Sequence, residues 1–127
     1  MNWPIFIAGL AAAFCTLGHF TAGRKLYLQP MLAASFDDVA KKVNHCVFHY
    51  VSVFLVLSAV CLVLVGAGFT FNTDTALLVK FIAIHYALFA TAQIIIAATS
   101  GIQNALFKMF QWTIFVFIAV FAWMGAA

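Results

Sequence analysis

Four long apolar runs, separated by short polar interruptions, set the pattern of this chain. The runs cover residues 4–22, 44–65, 76–98 and 106–125. Each is close to the ~20 residues that an α-helix needs to cross a bilayer core. The interruptions are Gly23-Arg24-Lys25, the stretch from Gly66-Ala67-Gly68 to Phe71-Asn72-Thr73-Asp74-Thr75, and Ser100-Gly101-Ile102-Gln103-Asn104. No run alternates with period two, so strands are not expected. The pattern predicts an all-α fold: an integral membrane four-helix bundle, a single domain over residues 1–127, with antiparallel neighbours joined by short loops.

The ends of the runs refine this. Trp3 suits an interfacial anchor and Pro4 the first helical turn. Gly9 with Ala13, and Gly18 with Ala22, are small-xxx-small pairs that let a second helix approach closely. Leu26, Tyr27, Leu28, Met31 and Leu32 make the connection after the first span amphipathic, predicting a segment lying on the cytoplasmic membrane surface. Ser35 is the expected cap of the next helix, with Asp38 at the capping-box position. From Phe36 to Gly66 nothing breaks the helical pattern, so the second helix is expected to project two turns into water. Trp112 and Trp123 bracket the fourth span.

Composition decides the solvent. Of the 127 residues, 67% are hydrophobic and 7% charged, against about 25% charged in a soluble domain. Five of the six basic residues (Arg24, Lys25, Lys41, Lys42, Lys108) fall on the side of the first and third loops, and only Lys80 on the other. The positive-inside rule then places those loops in the cytoplasm and both termini outside. The net charge of +3 lies beside apolar segments, so it reads as an orientation signal and not as a nucleic-acid footprint. Cys15, Cys46 and Cys61 are an odd set within or beside spans, which predicts free thiols. The first run lacks a basic leader, and Phe14 before Cys15 does not suit a lipoprotein cleavage site, so it is read as a retained span.

Candidate chemistry gathers at the cytoplasmic ends. His45 and His49 are four apart, with Ser52 continuing their stripe. His19 lies ~7.5 Å above Arg24 at 1.5 Å per residue, with Cys15 one turn further. Imidazole and thiol at one depth suit a transition metal (zinc, copper or iron), with His19, His45, His49 and Cys15 as ligands. Gln93, Gln111 and Tyr86 could orient a ligating ring through its second nitrogen. Haem b is an alternative on the same residues, with His19 and His45 or His49 as axial ligands and electron transfer as its use. His85, near mid-membrane, is either a further ligand position, a proton step or an interhelical hydrogen-bonder. A contrasting class is a cofactor-free assembly subunit whose small-residue faces dock another membrane protein or a second copy. No Asp or Glu lies within a run, which disfavours proton-coupled cation export. Nucleotide-loop, nucleophile-elbow and H-E-x-x-H motifs are lacking.

Gly18-His19-Phe20, His85-Tyr86-Ala87-Leu88-Phe89-Ala90 and Gln111-Trp112 resemble segments of small bacterial four-helix inner-membrane proteins of no settled function. The resemblance implies an inner-membrane location and no particular activity.

Overall fold

A computed structural model describes residues 1–71 and 74–127. Helix α1 is continuous from Trp3 to Ala33. Asn2 caps it, its side chain accepting from the Ile5 amide at 3.3 Å, and Pro4 occupies the first turn. Between His19 and Leu28 the winding is π-helical, and at its end the Gln29 amide bonds five residues back to the Arg24 carbonyl. The amphipathic segment after Ala22 is therefore not a separate surface connection. It continues α1, because Gly23 does not break the winding and the helix runs on through Pro30 to Ala33.

Helix α2 spans Asp38–Gly66 and α3 spans Thr75–Thr99. Both begin on an aspartate: Asp37 accepts from the Ala40 amide at 2.8 Å and Asp74 from the Leu77 amide at 3.0 Å. Asp37 replaces the expected Ser35 as cap. A carboxylate is the stronger acceptor for an orphan amide and also meets the positive end of the helix dipole. Asn72 and Thr73, part of the expected turn between α2 and α3, lie outside the described residues. α1, α2 and α3 are long and apolar enough to cross a membrane.

The fourth run departs from expectation. It forms a four-residue helix, α4 (Ala105–Lys108), a break, and then α5 (Trp112–Ala126). At 15 residues α5 is ~22 Å long, short of a ~30 Å core. The turn before α4 uses left-handed backbone at Gly101 (φ 70°) and Asn104 (φ 57°). At the break Met109 leaves helical geometry (φ −111°, ψ 58°). Two carbonyls freed there are taken by side chains, Leu106 by Trp112 Nε1 at 3.1 Å and Met109 by Gln93 Nε2 at 3.0 Å. Irregular backbone among apolar helices persists only where protein groups satisfy it in this way.

The core is made of small residues and a few large ones. Ala8 and Ala12 of α1 meet Leu55, Ala59 and Leu62 of α2, Ile82, Ala83 and Tyr86 of α3, and Ile118 and Ala122 of α5. α1 packs against both α2 and α5, and α5 against α3. Between helices in lipid there is no hydrophobic drive, and close van der Waals contact and hydrogen bonds are what such packing uses. α1 and α2 approach most closely where a Cβ on Gly9 would stand 2.6 Å from the Val63 nitrogen and one on Gly66 would overlap the Phe6 backbone. Gly9 thus does the packing its small-xxx-small pair suggested, but Gly18 faces open space. Asn2 ties three ends together: its amide donates to the Gly66 carbonyl at 2.8 Å and its Nδ2 to the Gly125 carbonyl at 2.7 Å.

α2 and α3 follow each other in sequence, yet their backbones make little close contact. They touch through large side chains: Tyr86 Oη bonds Ser58 Oγ at 2.8 Å, and Phe54 packs on His85, Tyr86 and Phe89. Many of the remaining large apolar side chains, among them Leu10, Leu17, Leu57 and Leu88, point outward. A surface of that kind suits contact with lipid.

Candidate functional site

The α4–α5 break opens onto a cleft of about 520 Å³. Its α1 wall is a stripe of neighbouring pairs, Phe14/Cys15, Gly18/His19, Ala22/Gly23 and Leu26/Tyr27. Phe48, Val51 and Leu55 come from α2, Gln93 from α3, and Met109, Phe110, Gln111, Ile114 and Phe115 from the break and α5. The volume lies within the ~300–1,000 Å³ of small-molecule sites, and the lining has their usual make-up: apolar walls with a few convergent polar groups.

His19 is held from behind. Its ring stacks on Phe48, centroids 4.0 Å apart and planes 18° from parallel, and its Nε2 lies 2.9 Å from Ser52 Oγ. Ser52, itself buried, donates its single hydroxyl proton to the Phe48 carbonyl at 3.0 Å, one turn back in α2. With that proton donated to the Phe48 carbonyl, the Ser52 oxygen is left as an acceptor for His19, the arrangement that puts the imidazole proton on Nε2. The opposite nitrogen, Nδ1, is left as an acceptor on the Gly23 side, 3.7 Å from where a Gly23 Cβ would be.

Across the cleft the polar groups form a directed chain. The Met109 carbonyl can only accept, so Gln93 presents its amide nitrogen to it, at 3.0 Å. The same nitrogen donates to Gln111 Oε1 at 2.6 Å. Gln111 Nε2 then donates to Tyr27 Oη at 2.7 Å. Each step fixes the next amide's orientation. The chain leaves the Tyr27 hydroxyl proton and one Gln111 amide proton available to a ligand. It also stitches together α3, the break and the π-helical part of α1.

The expected histidine cluster does not assemble. Among the described residues, no group of three His, Cys, Asp or Glu side chains could hold a metal ion. His45 and His49 pair with each other on an outer face of α2, Nε2 to Nε2 at 3.2 Å. The stripe divides because His49 is exposed whereas Ser52, three residues on, turns in to meet His19. Cys15 and His19 do share the cleft wall, as expected from their spacing. The helix 1 imidazole expected as an axial haem ligand has its Nε2 bonded to Ser52 on α2 itself, which draws that ring onto α2. His85 lies elsewhere, between Phe54 (5.0 Å) and Phe81 (4.4 Å), its Nδ1 donating to the carbonyl of Phe81 in its own helix. Gln93 and Gln111 come together, but Tyr86 is fully buried in the core with Ser58.

Tyr27, Phe48 and Met109 belong to the site and were not expected from sequence. Tyr27 reads as a surface residue until the winding carries α1 past Gly23. Phe48 is one more aromatic in an apolar run. No protein-family model, curated protein or solved structure matches the chain.

Proposed function

We propose that this chain is a membrane protein of four antiparallel crossings, the fourth broken at Met109, whose cleft binds a lipid-soluble molecule with a polar end. The observation that carries this reading is an apolar cleft of about 520 Å³ bordered by His19, Gln93, Gln111 and Tyr27. Asn2 joins the start of α1 to the ends of α2 and α5, and the Tyr27–Gln111–Gln93 chain joins the opposite ends, which supports the antiparallel reading. Arg24, Lys25, Lys41, Lys42 and Lys108 lie toward the cleft end of these helices. Lys80 sits over the Trp123 ring at 5.8 Å near the other. With the positive-inside rule, the cleft falls in the cytoplasmic half of a bacterial inner membrane and both termini lie outside.

Gly18 supplies the test. Gly18 lines the cleft and a Cβ there meets nothing within 4 Å, so Gly18→Phe has room to start its side chain from the cleft wall. A diazirine-bearing long-chain alcohol, irradiated with the purified protein in detergent, is expected to label cleft-lining residues, and excess unlabelled hexadecanol to suppress that labelling. Gly18→Phe is expected to reduce it at least about tenfold, the loss of ~1.4 kcal/mol of binding. Labelling spread over the outward side chains and indifferent to Gly18→Phe would remove this reading.

A second reading rests on the His45–His49 spacing. Two imidazole nitrogens on one tetrahedral zinc at 2.0–2.1 Å stand ~3.3–3.4 Å apart, close to the observed 3.2 Å. This pair could chelate zinc or copper, with water completing the shell. Tag-free protein titrated with zinc is expected to hold about one ion per chain, lost in both His45→Ala and His49→Ala and kept in His85→Ala. Equal zinc in His49→Ala and the parent protein would sink it.

A further inference from the structure

Resting on the cleft reading, we propose that the polar end of the ligand is a hydroxyl that donates its proton to Nδ1 of His19. The Ser52–Phe48 pair dictates this polarity. Ser52 has one proton and the Phe48 carbonyl receives it, so the serine oxygen faces His19 as an acceptor and draws the ring proton to Nε2. Nδ1 then carries a lone pair and no proton. Among the described residues no side chain donates to it, while the glycine beside it leaves the approach open. Phe48 stacks against one face of the ring, and the bond to Ser52 keeps Nε2 turned toward α2.

A carbonyl or ether oxygen brought to this nitrogen would set two lone pairs against each other. An alcohol of the same shape would make a bond. At His19 the cleft thus selects amphiphiles by the protonation of their oxygen: fatty, isoprenoid or ring alcohols over the matching ethers or ketones, whose oxygens can pair only with the Tyr27 and Gln111 protons across the cleft. Failing to pair a sheltered polar group costs about 1–3 kcal/mol, a ~5- to 150-fold preference. Ser52 is a positioning residue in this scheme. It acts through His19 and does not itself meet the ligand.

The test compares hexadecanol with methyl hexadecyl ether as competitors of the diazirine alcohol, at equal mole fraction in the micelle. The alcohol is expected to compete at a concentration at least about fivefold lower. In Ser52→Ala the preference should shrink, and the ¹⁵N spectrum of His19 should change from an Nε2-protonated ring to a tautomer mixture. Equal competition by alcohol and ether would overturn the hydroxyl assignment while leaving the cleft reading intact. Failure of both to compete would overturn the cleft reading and this proposal together. A protonated Nδ1 in the ¹⁵N spectrum of the unliganded protein would overturn the proposal whatever the competition shows.

Discussion

Gly66→Val is expected to be the most damaging single substitution in the chain. A Cβ at this position falls onto the backbone of Phe6, and its Cβ as well. A backbone cannot swing aside as a flexible side chain can, so α1 and α2 must separate. Overpacking in a core costs about 1–3 kcal/mol where neighbours can adjust. Here they cannot, so ~3 kcal/mol or more is expected. Separation also threatens the bond from the Asn2 amide to the Gly66 carbonyl, and with it the knot that joins the ends of α2 and α5. Thermal unfolding in detergent, followed by tryptophan fluorescence, measures this directly. Gly18→Val is the control: with nothing nearby, and valine the better helix former, the same change should leave stability unchanged or slightly raised. Comparable melting of the two variants would show that the close approach of α1 and α2 is not what holds them together.

Gln93→Leu is expected to have the second-largest effect, on both stability and binding. The substitution nearly conserves volume but removes the donor shared by the Met109 carbonyl and Gln111 Oε1. An unpaired sheltered group costs about 1–3 kcal/mol in water-soluble proteins. Interhelical bonds in membrane proteins average nearer ~0.6 kcal/mol, because a loosened segment finds other partners. The break is tied at its ends to α4 and α5, which limits that relief, so ~1–3 kcal/mol is the expected range. The loss should be local. Hydrogen exchange at residues 106–112 is expected to quicken at least about tenfold, with residues 8–12 and 55–62 unchanged. Labelling by the diazirine alcohol should fall as well, since Gln111 and Tyr27 lose their fixed orientation. Unchanged exchange in the break would mean that Gln93 is a passenger in the network.

The long helices were legible because composition and run length are decisive in a chain that must satisfy its backbone internally. Capping was half legible: the carboxylates were visible, but Ser35 and Asp37 compete for one role, and two residues of register separate the answers. The break at Met109 was not legible. Residues 105–126 contain no proline, their one glycine lies at the far end, and the departure from helix is supported by Gln93, a residue of another element. The histidines show the same limit. Their depth along the helices could be counted from sequence, and His19 meets α2 at Phe48 and Ser52. Azimuth could not be counted. It turns His19 toward the cleft and Ser52, and leaves His45 and His49 on an outer face. Helices α2 and α3 make the point in packing: a short connection suggested close neighbours, but Phe54, His85 and Tyr86 hold their backbones apart.

The wall formed by α1 has a stride of four residues: 14/15, 18/19, 22/23, 26/27. An α-helix cannot keep that stride in line. Four residues at 3.6 per turn overshoot a full turn by ~40°, so the last pair would lie ~120° around from the first. A helix bonded five residues back takes more than four residues per turn, and each stride there falls short instead. α1 is wound the first way to Gly18 and the second way from His19 to Leu28. The overshoot of one section is cancelled by the lag of the other, as two opposed gears hold a pointer still. The length of the cleft is therefore a property of how the helix is coiled, not only of which side chains it bears. Recoiled uniformly, the same residues would carry Leu26 and Tyr27 out of the wall, and the hydroxyl at its end would face away from Gln111.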